Sequence, residues 1–355
     1  DALRFRRQIL SLKQFFAGRE CTVLLLDDKS APAGDMQLHS LAHGVIMLEH
    51  IALEYGAERR RLQVTKLRGV RFRGGYHDFR IRTGGIQVFQ RIRTAAATRM
   101  ATDGVLLSGN PRLEALLGGG ITRGTSTLVT GAAGTGKTVM CVQYMRAAVE
   151  RGETVSAFMF DERLSTFRLR AEALGFRLDE AMEDGRLRIH QIEPTEMSPG
   201  EFANVVADAV QNKGSSVIVI DSINGYMNAM PSERLLGIQL HELLSFLSNH
   251  GVTSILTLVQ HGVFGGPVDE EAEVSYLADT VVLLRYFEYQ GSVRNAISVV
   301  KKRSGPHEKT IREFRVGEGG LAVGEPLEQF QGVLTGVPRY EGAREPLMYR
   351  DDDER

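Results

Sequence analysis

Residues 131–138 read Gly131-Ala132-Ala133-Gly134-Thr135-Gly136-Lys137-Thr138, the G-x-x-x-x-G-K-[ST] spacing of a loop that wraps phosphate groups. Each residue type has a physical reason. The glycines let the backbone curl so that successive N–H groups point inward, the Lys137 ammonium reaches the outer phosphates, and the Thr138 hydroxyl suits Mg²⁺. A helix starting behind the loop adds its positive end.

Other residues have types that suit phosphate chemistry. "SSVIVIDS" ends an apolar strand on Asp221, where a Mg²⁺-organising acid belongs in phosphate-loop enzymes. Read alone, Asp221 serves equally as the N-cap of a helix over "INGYM", and the two roles are compatible. "FMFDERLS" sets Asp161 and Glu162 at another strand end, where one carboxylate can accept a proton from an attacking water or hydroxyl. Lys301 and Arg303 stand two apart on a strand-like run and so share a face; such a pair can offset charge that develops on a neighbour's transferring phosphoryl group. The bland reading is a strand edge guarded by cations. The basic run "ERRRLQVTKLRGVRFR" (58–73) is the one candidate nucleic-acid patch, but its period-two alternation and single aromatic, Phe72, argue against nucleic acid as a partner.

The elements that must position these residues are legible as periodicity. Strand-like runs occur at 126–131, 154–160, 187–192, 216–221 and 253–259, and helical spacing at 138–152, 202–214 and 234–251. Uniformly apolar strands alternating with helices predict an α/β fold, a mostly parallel sheet with helices on both faces. The stretch "AISVVKKRSGPHEKTIREFRV" reads as hairpin strands extending that sheet.

The chain also repeats itself. Residues 40–88 align with 276–323, so that Leu41 meets Leu277 while Lys66 and Arg68 meet Lys301 and Arg303; upstream, "QFFAGRECTVLLL" pairs with "SFLSNHGVTSILTL". Recurrence of the cation pair favours a functional role. The expected organisation is tandem: 1–93 as the C-terminal part of a first domain that lacks a phosphate loop, 94–103 as a linker, 104–340 as a complete second domain, and 341–355 as a polar, acidic tail. The start "DALRFRRQIL", without methionine and inside an amphipathic helix, reads as a piece of something longer.

Composition sets outer bounds. The 43 basic and 44 acidic residues of the 355-residue chain give a net charge of −1, which argues for neither nucleic acid nor a membrane surface. Two cysteines, Cys21 and Cys141, exclude a disulfide framework and read as small core residues in a reducing compartment. No apolar run has the length of a membrane span, so the cytoplasm is expected.

Taken together, "LSGNPRLEALLGGGITRGTSTLVTGAAGTGKT", "MFDER", "VIVIDS", "LADTVVLLRY" and "VVKKRSGPHEKTIREF" resemble the KaiC family of ATPases, within the RecA-like phosphate-loop superfamily, over the chain to about Tyr340. The resemblance implies that Gly131 to Thr138 bind ATP, that Thr138 and Asp221 hold Mg²⁺, and that Asp161 and Glu162 are the paired catalytic acids. It further implies that Lys301 and Arg303 reach ATP across a subunit interface in a hexameric ring of identical chains, and that a KaiB-like or signalling protein is a partner. The family's second domain is an autokinase acting on a Ser-Thr pair; here the pair reads Ser275-Tyr276. Ser275 keeps a usable hydroxyl, whereas the longer Tyr276 phenol argues against ordered two-site phosphorylation. Asp161 is one methylene shorter than the usual glutamate, which changes its reach. The leading expectation is an ATP-hydrolysing, self-phosphorylating ring that works as a timer or switch. The alternatives are a nucleotide-gated nucleic-acid-binding protein and an ATP-binding scaffold without kinase activity.

Overall fold

A run such as Val217–Ile220 has no polar face, so it is stable only inside a sheet covered on both sides. The computed structural model describes residues 2–19, 21–28, 36–52, 56–92, 103–228, 236–260, 275–334 and 338–342. They fall into two compact units, Asp1–Arg91 and Ile92–Arg355. Residues 94–102 of the expected linker and 343–355 of the expected tail lie outside the described residues.

The first unit comprises α1 (Ala2–Phe16), α2 (Met36–Leu41) and an antiparallel sheet of β1 (Gly44–Ile51), β2 (Arg59–Leu67), β3 (Tyr76–Arg82) and β4 (Gly85–Phe89), in that order. The run that aligns with residues 245–258 does not end in a strand. Residues 21–28 are irregular, and Cys21 is exposed rather than in a core. The reason is topological. Its aligned strand in the second unit lies between two parallel neighbours, and among the described residues of the first unit neither neighbour has a counterpart.

The second unit opens with β5 (Val105–Leu106), α3 (Pro111–Leu116) and β6 (Ile121–Thr122), β5 and β6 forming a two-stranded pair. Asn110 starts α3: its side chain accepts from the amides of Arg112 and Leu113, and Pro111 supplies a helical φ at the first position. There follow β7 (Ser126–Gly131), α4 (Lys137–Glu150), β8 (Val155–Met159), α5 (Leu164–Ala173), α6 (Asp179–Glu183), β9 (Leu187–Gln191), α7 (Pro199–Gln211), β10 (Val217–Asp221), α8 (Ile223–Asn228), α9 (Leu236–Asn249) and β11 (Thr253–Val259). The chain continues with β12 (Thr280–Tyr289), β13 (Ser292–Lys302), β14 (Arg312–Gly317) and β15 (Gly320–Pro326), then the short pair β16 (Phe330–Gln331) and β17 (Arg339–Tyr340).

The main sheet runs β15-β14-β13-β12-β7-β11-β10-β8-β9. From β12 to β9 all pairings are parallel, while β12 to β15 form an antiparallel extension, as the hairpin reading expected. Alternate strand residues feed opposite faces, as the pleat demands. Val129, Val217, Val219 and Ile255 pack with α3, α4, α5 and α6, whereas Leu128, Ile218, Ile220 and Leu256 pack with α7, α8 and α9. This is the RecA-like α/β architecture, and it brings the C-terminal ends of β7, β8, β10 and β11 to one edge of the sheet.

The internal repeat is visible as register. In β1–β2, Val45 faces Lys66 with an irregularity between Val45 and Ile46; in β12–β13, Val281 faces Lys301 with an irregularity between Val281 and Val282. A bulge at the same aligned place in both hairpins sets where the following cation emerges.

Candidate functional site

The loop after β7 is pinned between two strands. Gly131 pairs with Val259 of β11 and Leu284 of β12, and a Cβ there would lie 2.2 Å from the Leu284 carbonyl oxygen. Gly134 adopts φ 80°, where L side chains are strained, and a Cβ on it would meet Tyr286 Oη at 2.7 Å. Tyr286 Oη donates to the Ala133 carbonyl at 3.3 Å, and Thr135 Oγ1 to the Ala132 carbonyl at 2.9 Å. Gly136 is the N-cap of α4, so the loop hands the chain directly to the helix that follows. Lys137 is 6% exposed, and its Nζ donates to the carbonyls of Gly131 (2.8 Å) and Ala132 (2.7 Å). Burial pushes the Lys137 pKa down, opposed by the Asp221 carboxylate. The ammonium therefore lies across the loop's own mouth.

Asp221, at the end of β10, collects hydroxyls. Thr138 Oγ1 donates to its Oδ2 at 2.6 Å, and Thr257 Oγ1 of β11 donates to its Oδ1. The structure thus joins two residues that the sequence puts only on separate elements, and the helix-cap alternative is not how the carboxylate is used. The amide of Gly225 in α8 donates to Ser222 Oγ, at 3.5 Å. A hydroxyl and a carboxylate converging beside a glycine cradle form a hard oxygen set, which fits Mg²⁺.

The acidic pair leaves β8 towards the same edge, and its members separate. Asp161 Oδ2 accepts from Ser222 Oγ at 2.5 Å. Glu162 forms an ion pair with Arg170 of α5. Burial pushes the Glu162 pKa up; Arg170 pulls it back, and the Asp221 charge adds to the rise. A carboxylate held above its ordinary range, close to Asp221, can serve as a proton acceptor.

Lys301, Arg303, Ser275 and Tyr276 lie elsewhere. β12 runs parallel to β7 with Thr280 level with Thr127 and Leu284 level with Gly131. Ser275 and Tyr276 precede β12, so they sit at the N-terminal end of these strands, and the phosphate loop leaves from the C-terminal end. Four strand steps between the two levels span about 13 Å at the usual rise, before the offset of either site from its strand is added. At that far end Lys301 Nζ donates to the Ser275 carbonyl at 2.9 Å, and Arg303 Nη2 to the Tyr276 carbonyl at 2.9 Å. Burial lowers the Lys301 pKa, as does neighbouring Arg303.

The first unit repeats the arrangement. Lys66 Nζ donates to the His39 carbonyl at 2.7 Å and Arg68 Nη2 to the Ser40 carbonyl at 3.1 Å, and the Arg68 amide donates to His43 as the Arg303 amide does to Asp279. Each cation pair thus holds the two residues that lie five and four positions before its own hairpin.

The sequence model of the family described as "ATPase: KaiC" matches residues 1–93 and 107–328. The chain belongs to the KaiC ATPase family. It is 25% identical over 348 residues to the "Circadian clock protein KaiC3" of Synechocystis, covering 96% of this chain and 68% of that protein. It is 26% identical over 302 residues to the "Circadian clock oscillator protein KaiC" of Picosynechococcus, covering 84% of this chain and 57% of that one. With the KaiC of Synechococcus elongatus the identity is 25% over 336 residues, or 94% of this chain and 63% of the relative. The chain thus spans about three fifths of the length of these relatives. As a KaiC-family domain with this loop, the second unit is a nucleotide-binding, ATPase-type unit. No helix among the described residues is long and apolar enough to cross a membrane.

Four side chains at the site escape a reading of motifs: Thr257, Ser222, Arg170 and Tyr286. Tyr286 meets the loop and Thr257 meets Asp221 only through sheet order, and Arg170 meets Glu162 because its long side chain reaches from α5 back to the turn before the helix. Ser222 follows Asp221 directly, and its small hydroxyl beside an acid was the one available signal.

Proposed function

We propose that this chain is an Mg²⁺-dependent KaiC-like ATPase and serine autokinase that transfers phosphate between neighbouring copies of itself in a ring. The observation that carries this reading is the separation of the two clusters. An acceptor and a cation pair at one end of β7 and β12 cannot meet a phosphate loop at the other end of the same chain. They can meet the loop of a neighbour stacked head to tail, the heterologous contact that closes into rings.

In this reading the backbone amides of residues 131–138 hold the β- and γ-phosphates of ATP, and Lys137 exchanges its two carbonyl partners for phosphate oxygens. Thr138 and Asp221 hold Mg²⁺, whose chemistry when bound is to neutralise charge on the phosphate oxygens. Glu162 accepts the proton of the attacking oxygen, water for hydrolysis or Ser275 of a neighbour for self-phosphorylation; Asp161, tied to Ser222, orients the adjoining turn. Lys301 and Arg303 of the neighbour stabilise the charge of the transferring group. Ser275 is the acceptor, with Tyr276 the lesser one. A timing or signalling role in the cytoplasm, exercised through a KaiB-like or other protein partner, follows from the likeness to clock proteins.

The test is incubation with Mg²⁺ and γ-labelled ATP beside Lys137→Ala, followed by peptide mapping. Label on Ser275 in the wild type alone is the expected result. Label released to water with none on the protein would leave an ATPase and remove the kinase.

A further inference from the structure

Glu162 lies two residues before the start of α5, so no helical backbone fixes its side chain, and ordering a free glutamate costs conformational entropy. The helix N-cap, Arg163, makes no side-chain capping bond that would order the turn. Arg170, two turns into α5, reaches back to it: its Nη2 pairs with Glu162 Oε2, while its Nε is buried without a hydrogen-bond partner. The guanidinium is therefore not drawn towards a competing acceptor through Nε. Two charged groups on other elements act on Glu162: Asp221 of β10 repels it and Arg170 of α5 attracts it. Without Arg170, Glu162 would face Asp221 in a half-buried site with no cation paired to it.

We infer that Arg170 is the positioning residue for Glu162, holding the proton-accepting carboxylate in one place at the sheet edge from which the phosphate loop leaves. This rests on Glu162 being the proton acceptor of the proposed ATPase. In the hydrolytic step the water oxygen bonds to the γ-phosphorus, the bond from that phosphorus to the β,γ-bridging oxygen breaks with its electron pair staying on the oxygen of departing ADP, and the water proton passes to Glu162. Arg170 touches none of the reacting atoms and acts only through Glu162.

The experiment is a double-mutant cycle on the full chain, reading kcat and KM for MgATP in Arg170→Met, Arg170→Lys, Glu162→Gln and Arg170→Met/Glu162→Gln, with melting curves for each. We expect Arg170→Met to lower kcat about tenfold with KM within about twofold, and Arg170→Lys to recover part of the loss. In the Glu162→Gln background Arg170→Met has no further effect, because nothing remains to position. An unchanged kcat in Arg170→Met, or the same factor lost in both backgrounds, overturns the inference, since the second result marks a structural role. If Arg170→Met melts below the assay temperature, Arg170→Lys takes its place in both backgrounds under the same criterion. Wild-type kcat in Glu162→Gln removes the proton-acceptor reading itself, and the positioning role with it, which tells that failure apart from the others.

Discussion

Asp221 shows how single residues carry the site. Its two carboxylate oxygens are each taken by a threonine hydroxyl, one from the loop helix and one from the neighbouring strand, so the acid is fixed by two elements. Thr257 is fully buried, and a hydrogen bond to a charged group contributes about 1.5–3 kcal/mol. Thr257→Val keeps the shape and deletes the donor. The expected outcome is a loss of about 2 kcal/mol in urea unfolding of the nucleotide-free protein and a higher Mg²⁺ requirement for ATP binding. An unchanged Mg²⁺ requirement would show that Thr257 does not hold Asp221 for the metal. Lys137 and Thr138 are legible in the chain itself because the loop motif is local, whereas Thr257 gains its role only when β11 pairs beside β10 and brings it to Asp221.

Elements are joined at the opposite end of the sheet by Glu153, just beyond α4. Arg123 grips it through both oxygens, at 2.8 and 2.7 Å, Arg151 adds a bond at 3.0 Å, and Ser216 before β10 donates at 3.1 Å. Burial alone would raise the Glu153 pKa, but the bonds from Arg123 and Arg151 outweigh it and hold the group at about 2. A depressed acid gives stability that is full above its unfolded value of 4.5 and is lost as pH falls towards 2. Glu153→Gln should therefore cost about 1–2 kcal/mol at pH 7, allowing for solvent screening, and the gap to wild type should close between about pH 4.5 and 2. A gap that persists at pH 2 would assign the loss to packing. The elements themselves are largely readable: β7, β8, β9, β10 and β11 announce themselves as apolar runs, and α4, α7 and α9 as helical spacing. The unread parts have a common cause. Residues 22–26 look like a strand but pair with nothing among the described residues, and the sheet order that joins Tyr286 to the loop is a long-range property no window of sequence contains.

At the scale of the whole molecule, charge and placement point the same way. Part of the basic run is neutralised inside the first unit, Arg60 by Glu58 at 2.8 Å and Arg61 by Glu49 at 3.2 Å, which leaves less free positive charge for a nucleic acid. In the proposed reading, Lys301, Arg303 and Ser275 at one end of β12 meet a phosphate loop only on a second chain, because their own loop leaves from the other end of the sheet. The direct measurement mixes two inactive variants: Lys137→Ala, which keeps the acceptor and loses the loop lysine, and Ser275→Ala, which keeps the loop and loses the acceptor. With Mg²⁺ and γ-labelled ATP, neither alone should label residue 275, and the mixture should place phosphate on Ser275 of the Lys137→Ala chain. If the mixture stays unlabelled while the wild type labels Ser275, transfer occurs within one chain, and the two clusters do not meet head to tail between neighbours.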